Sequence, residues 1–360
     1  LAILAVLAGG ACGESPSLGA APDNAAVAVI PSATPLAPFD RTAVTTASAR
    51  ALTEPGCCAR HWWSAEGDRV LFIDDPEGGL PLGIYAVSPQ GGDVHLASTS
   101  VTGADLPPGD APPDLSPTLG PDYRLPADAQ NIRLLPDGVK VAWSVGSTLP
   151  ANVDRRQRSV WVVGGPSDVR RRLVVLTGGD LIGWAADGQS LVATGRIPES
   201  GPTGIWRVPV DGGAPTLLAP GDRPRGTRLS PSARWLAFYL AFETEPARSG
   251  LWVLGTAGEA ARLLPAFGSY RWGANDRLYF IPYDGEAQEL SLATFDPATG
   301  TTEVVRSDEA FPGGIAVNDW SVSPDGVWIV YRSAQDGALW IVPAGDGVPH
   351  AIIPSPARRR

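Results

Sequence analysis

The stretch "WSVSPDGVWIVYRSAQDGALWIVPAG", residues 320–345, decides the fold. It reads as strand, turn, strand, loop, strand, turn. In its Ser-Pro-Asp-Gly turn, Pro presets φ, Asp caps through its side chain and Gly supplies positive φ. The runs on either side are short and rich in Val, Ile, Trp and Tyr, residue types that favour strands.

Sliding this segment along the chain finds five more copies. The strand-and-turn units are "WSAEG" at Trp63, "LLPDG" at Leu134, "WAADG" at Trp184, "LSPSA" at Leu229, "WGAND" at Trp272 and "VSPDG" at Val322. An apolar strand follows each one. A third strand then carries an aromatic at Tyr85, Trp161, Trp206, Trp252 and Trp340, with Ser291 in that place in the fifth copy. Fourth strands are read at "DVHLAS", "RRLVVL", "PTLLAP", "AARLLP", "TEVVRS" and "PHAIIP". "SARALT" at 48–53 offers a competing or additional fourth strand for the sixth copy.

The units end at 67, 138, 188, 233, 276 and 326, spaced 71, 50, 45, 43 and 50 residues apart. Four strands in roughly 40–50 residues is the period of a propeller blade. A four-stranded sheet cannot hide both faces alone, and radial stacking of blades solves that. The fold expected is all-β: a six-bladed propeller over 46–355, with a Pro-rich excursion at 99–129. With these turns, the repeat resembles the TolB-like, or PD40, β-propeller family, whose hallmark is Trp-Ser-Pro-Asp-Gly before an apolar strand. Only the sixth copy keeps Ser-Pro-Asp-Gly intact. The resemblance implies a fold and no particular chemistry, since such repeats serve binding proteins and the non-catalytic halves of peptidases.

Composition agrees. The chain has 360 residues, 42 Gly and 36 Pro, too punctuated for long helices. Its net charge of −10 argues against a nucleic-acid partner, which needs a basic footprint. Lys140 is the sole lysine among 28 basic residues.

The opening "LAILAVLAGGACGES" is an apolar run too short to span a bilayer, ending in small residues before Cys12. It fits the h-region of an export signal, and Cys12 sits as in a bacterial lipobox, where it would be lipidated. Gly9 stands where a lipobox carries an aliphatic residue, and an ordinary cleaved signal is the other reading. No basic n-region or Met precedes the run, so the natural chain is expected to start upstream. Residues 1–12 are read as signal and 13–45, rich in Ala, Pro and Ser, as a tether holding the propeller off a membrane. Export to the periplasm or cell surface, as a monomer, is the expected address.

No Gly-x-Ser-x-Gly elbow occurs in the sequence, which sets the propeller peptidases aside. Asp137, Asp187 and Asp325 read as turn formers. His95 and His350 fall in fourth strands at the outer rim and His61 just before an innermost strand, so the three do not converge on a metal. No metal or other cofactor is expected. Cys57 and Cys58 are adjacent and either form a strained vicinal disulfide or stay reduced and buried. They lead to His61 and Trp62 at the inner end of the first blade.

The long connections fall on one face of the expected propeller, and long loops on a rigid scaffold are where binding usually resides. Arg155, Arg156 and Arg158, with Glu243 and Glu245 two copies later, are its candidate contacts. The reading is a binding module for a protein, peptide or envelope component. A hydrolase or lyase at the channel mouth, or a structural spacer, are its alternatives.

Overall fold

A computed structural model describes residues 50–51, 60–74, 83–98, 115–120, 123–146, 155–164, 168–198, 201–240, 249–264, 266–282, 291–306, 311, 314–335 and 337–344. A short strand β1 (Arg50–Ala51) precedes the repeats. Blade 1 is β2 (Arg60–Trp63), β3 (Val70–Asp74), β4 (Gly83–Val87) and β5 (His95–Ser98). One helical turn, α1 (Ser116–Leu119), leads to blade 2: β6 (Ala129–Leu134), β7 (Val141–Gly146), β8 (Gln157–Val163) and β9 (Arg171–Thr177). Blade 3 is β10 (Leu181–Trp184), β11 (Ser190–Gly195), β12 (Gly204–Pro209) and β13 (Thr216–Pro220). Blade 4 is β14 (Arg225–Leu229), β15 (Trp235–Leu240), β16 (Gly250–Gly255) and β17 (Arg262–Leu264). Blade 5 is β18 (Ala266–Trp272), β19 (Leu278–Pro282), β20 (Leu292–Asp296) and β21 (Thr301–Arg306). Blade 6 has β22 (Ile315–Val322), β23 (Trp328–Ser333) and β24 (Leu339–Pro343).

Each sheet is antiparallel, and blade 6 takes β1 as its fourth strand, with Arg50 opposite Ile341 and Ala51 opposite Trp340. The first and last repeats are thereby zipped together by hydrogen bonds. "SARALT" thus supplies the closing strand, while "PHAIIP" lies outside the described residues. All six sequence units end first strands, at the register the repeat spacing implies.

The turns explain the sequence pattern atom by atom. The last residue of each unit is left-handed: Gly67, Gly138, Gly188 and Gly326 at φ 74, 73, 62 and 75, but Ala233 and Asp276 each at φ 58. Asp137, Asp187 and Asp325 each accept from the backbone N–H two residues on, at 2.9, 2.9 and 3.0 Å. Ser64, Ser230 and Ser323 accept through Oγ from the N–H five residues on. Asp276 does something different: its carboxylate accepts from the Ser232 N–H at 3.0 Å and from the Ser232 hydroxyl, joining the turns of blades 4 and 5.

Five residues beyond the last residue of the turn unit, in β3, β7, β15 and β23, stand Phe72, Trp143, Phe238 and Tyr331, opposite the third-strand aromatics Tyr85, Trp161, Trp252 and Trp340. In blade 3 Ala193 faces Trp206. In blade 5 the order inverts, with Phe280 facing Ala293, so the residue in the aromatic's place is Ala293 and not Ser291, which lies before β20. Phe280, in the second-strand aromatic place, is fully buried.

Second strands are buried on both faces. Trp235 and Ala237 pack toward blade 5 while Leu236 and Phe238 pack toward blade 3. The seam between blades 6 and 1 is likewise apolar, with Val330, Leu339 and Ile341 against Trp63, Phe72 and Tyr85. On the opposite side of blade 2 from blade 3, Leu115, Leu119, Tyr123 and Leu125 cover Val141 and Trp143. Thr118 donates through Oγ1 to Gly138 O. The end of the 99–129 excursion is therefore core; residues 99–114 lie outside the described residues.

First strands are also joined by polar bonds from blade to blade. The indoles of Trp184 and Trp272 donate to the carbonyls of Arg133 and Arg228 in the preceding blade, at 3.0 and 2.9 Å. In the other direction, Arg133 Nε donates to Ile182 O at 2.8 Å and Arg271 Nε to Trp320 O at 3.1 Å. The Trp of the motif is thus both wedge and donor.

Two predictions follow from the turns and seams, read by urea unfolding. Trp184→Phe should cost about 1 kcal/mol, the worth of one hydrogen bond, and Trp184→Ala roughly 3–5 kcal/mol for the lost core. Ala233→Gly should stabilise by about 0.5–1 kcal/mol because only the left-handed strain is relieved, whereas Asp276→Gly should not, since it also deletes the bond to Ser232.

Candidate functional site

First strands line the central channel of the ring. Their sequences, RHWW, AQNIRL, LIGW, RGTRL, AFGSYRW and IAVNDWSV, hold Arg60, Arg133, Arg225, Arg228, Arg271, His61 and one carboxylate, Asp319. In a chain of net charge −10 this is a local reversal of sign. Arg225 and Arg228 are exposed. Arg271 is half-enclosed: burial and the neighbouring Arg228 push its pKa down, while Asp319 and Tyr270 oppose that shift.

The densest polar cluster lies where blade 6 meets blade 1. His61, which sits within β2 and not before it, places Nδ1 3.2 Å from Asp319 Oδ1. Its side chain is 3% exposed, against 35% for Asp319. Arg332 Nε approaches Asp319 Oδ2 at 2.9 Å. Burial would raise the pKa of Asp319, but His61, Arg332 and Arg271 outweigh it, and the carboxyl is held below its ordinary value. A backbone irregularity between Ile315 and Trp320 in β22 places Asp319 here by freeing it from the β23 ladder.

Such clamps join blades 2 and 3, blades 4 and 5, and blades 5 and 6; this seam lacks them, as does that of blades 3 and 4, where Gly183 and Leu229 hold the corresponding places. Where Arg133 and Arg271 clamp forward, blade 6 carries Ser321, and where Trp184 and Trp272 clamp back, the Trp63 indole finds no such carbonyl. His61 Nε2, Trp63 Nε1, Ser321 Oγ and Arg332 Nη2 are buried with no hydrogen-bond partner among the described residues. Buried polar atoms left so cost about 1–3 kcal/mol each, and each asks for an explanation in strain, function or bound water.

Of the residues expected on the long-loop face, Arg158 is a brace: its Nη1 lies 2.6 Å from Asp180 Oδ2 and donates to Gln130 Oε1 at 2.6 Å, tying blade 2 to blade 3. Arg155 is exposed and the Arg156 carbonyl accepts from Gly178 N–H at 2.9 Å. Trp62 is buried in β2. Glu243, Glu245, Cys12, Cys57, Cys58 and His350 lie outside the described residues, and His95 opens the outer strand β5. No group of three metal-ligating side chains occurs among the described residues. Sequence reading singled out His61 but missed Asp319 and Arg332, because their meeting depends on ring closure.

No family model and no curated protein matches the chain. Among solved structures, an oligogalacturonate lyase from Vibrio parahaemolyticus is 10% identical with a TM-score of 0.50, over 83% of this chain and 95% of that one. A putative TolB from Agrobacterium tumefaciens is 17% identical with a TM-score of 0.36, over 79% and 89% of the two chains. TolB from Acinetobacter baumannii is 13% identical with a TM-score of 0.35, over 74% and 61%. The chain is a six-bladed β-propeller, related at low identity to propellers named as lyases, peptidases and TolB proteins alike, and the likeness is one of fold.

Asp319 generates a pH prediction. Its lowered pKa means that its ion pairs contribute fully above the ordinary carboxylate value of 3.8 and are lost as pH falls below it. The stability gap between wild type and Asp319→Asn should therefore shrink as pH falls toward 3 in urea titrations.

Proposed function

We propose that this protein is an exported binding module, tethered outside the cytoplasm through a lipid on Cys12, that captures a protein, peptide or envelope component without chemistry. The observation that carries the reading is the difference between the two faces. On one face the turns 64–69, 135–140, 185–189, 230–234, 273–277 and 323–327 are short, most of them capped by a side chain of their own, and those of blades 4 and 5 are bonded to each other. The strand ends of the other face are joined through longer intervals of sequence, 75–82, 99–128, 147–156, 196–203, 241–249 and 283–291. A rigid ring presenting long segments on one side is the arrangement of a recognition surface.

One observation favours a second reading, a hydrolase or lyase at the channel mouth. A carboxylate orienting an imidazole, as Asp319 faces His61, is how a general base is held. Screening hydrolase and lyase substrates separates the two: turnover lost in His61→Gln would replace the binding reading.

Two measurements test the proposal. Shortening 99–114 or replacing 147–154 with a Gly-Ser linker should weaken partner recovery from crosslinked membranes at least tenfold and leave stability within about 0.5 kcal/mol. Residues 115–125 are kept because they are core. Fatty-acid labelling of the natural-length chain should vanish in Cys12→Ser; label that survives would make it an ordinary secreted protein.

A further inference from the structure

The channel itself carries a site that the loop-face reading does not use. Three independent features meet there. The first strands are basic in an acidic protein, with five arginines against one carboxylate. A channel lined by one sign with low-dielectric walls focuses the field along its axis. Next, the seam of blades 6 and 1 leaves His61 Nε2, Arg332 Nη2, Trp63 Nε1 and Ser321 Oγ buried and unpartnered among the described residues. Arg332 and Trp63 are donors only, and Ser321 donates or accepts. Last, the seam already holds one carboxylate: His61 Nδ1 and Arg332 Nε, from different strands, lie 3.2 and 2.9 Å from the two oxygens of Asp319, as ion-pair contacts without hydrogen-bond geometry.

We propose that the central channel binds a carboxylate-bearing ligand, with Arg225 and Arg228 of blade 4 as its exposed cations and the His61–Arg332 seam as its buried end. Carboxylate fits better than a cation because every arginine of the first strands would repel the latter. It fits better than an apolar ligand because burying these donors against carbon would leave them unsatisfied. Asp319 sets the selectivity. It neutralises part of the seam, so that end recognises a ligand by hydrogen bonds as much as by charge. Arg225 and Arg228, exposed and without an ion-pair partner among the described residues, supply the attraction.

The test is isothermal titration of the purified propeller at low salt with hexaglutamate and with citrate, hexalysine serving as the charge-reversed control. Hexaglutamate or citrate should bind, more weakly as salt rises, and hexalysine should not. The double variant Arg225→Gln/Arg228→Gln, which touches only exposed side chains, should weaken binding at least tenfold. Arg332→Gln should weaken it too; should that variant misfold, the exposed pair still decides. Preference for hexaglutamate would place the carboxylates on a peptide and preference for citrate on a small free anion. Absence of binding by both, equal affinity in the double variant, or equal binding of inorganic phosphate overturns the assignment. The variant shortened at 99–114 should bind these anions as wild type does, so failure of the loop-face reading and failure of this one are told apart.

Discussion

Everything in this molecule rests on the seam between neighbouring blades. A four-stranded sheet with Leu236 and Phe238 on one face and Trp235 and Ala237 on the other has no stable existence until both faces are covered. Apolar area supplies the energy, at about 25 cal/mol per Å² removed from water. Apolar packing is tolerant of sliding, however, and a ring needs registered blades. The polar bonds between first strands give that register. Trp184 and Trp272 reach back to a backbone carbonyl, and Arg133 and Arg271 reach forward to one. Each is directional, and those of Arg133, Trp184 and Arg271 are partly buried and so costly if misplaced.

The seam where the ring closes has neither of these clamps among the described residues. There the chain brings together its N-terminal strand and its last blade, residues almost three hundred positions apart. Ser321 replaces the forward arginine, and an ion-paired cluster of His61, Asp319 and Arg332 takes its place. Natural sequences break their own local rules where something other than stability is at stake. The ion-paired cluster of His61, Asp319 and Arg332 at the closure is the reason to look for function there.

The charge distribution points the same way. The chain carries a net charge of −10, while its first strands hold five arginines and one carboxylate. The turns of blades 4 and 5 are bonded to one another through Ser232 and Asp276.

Much of the fold was legible in the sequence. Pro-Asp-Gly turns, left-handed positions and apolar second strands are local properties, and a period of roughly 40–50 residues turns them into blades without knowledge of any contact. That Asp137, Asp187 and Asp325 cap turns could be read directly, since the bond spans two residues. Local patterning also misled: the aromatic place in blade 5 is Ala293, opposite Phe280, and cross-strand register leaves no mark within either strand alone. Arg158 looked like a surface contact and is a brace, for the same reason; its partner Asp180 belongs to another blade. The candidate channel site was hidden still more deeply. His61, Asp319 and Arg332 are unremarkable in their own segments, and only closure of the ring through β1 and β24 brings the first blade against the last. Sequence determined the repeating unit because its turns and strands are short-range; the site was decided by tertiary structure because its charges come from opposite ends of the chain.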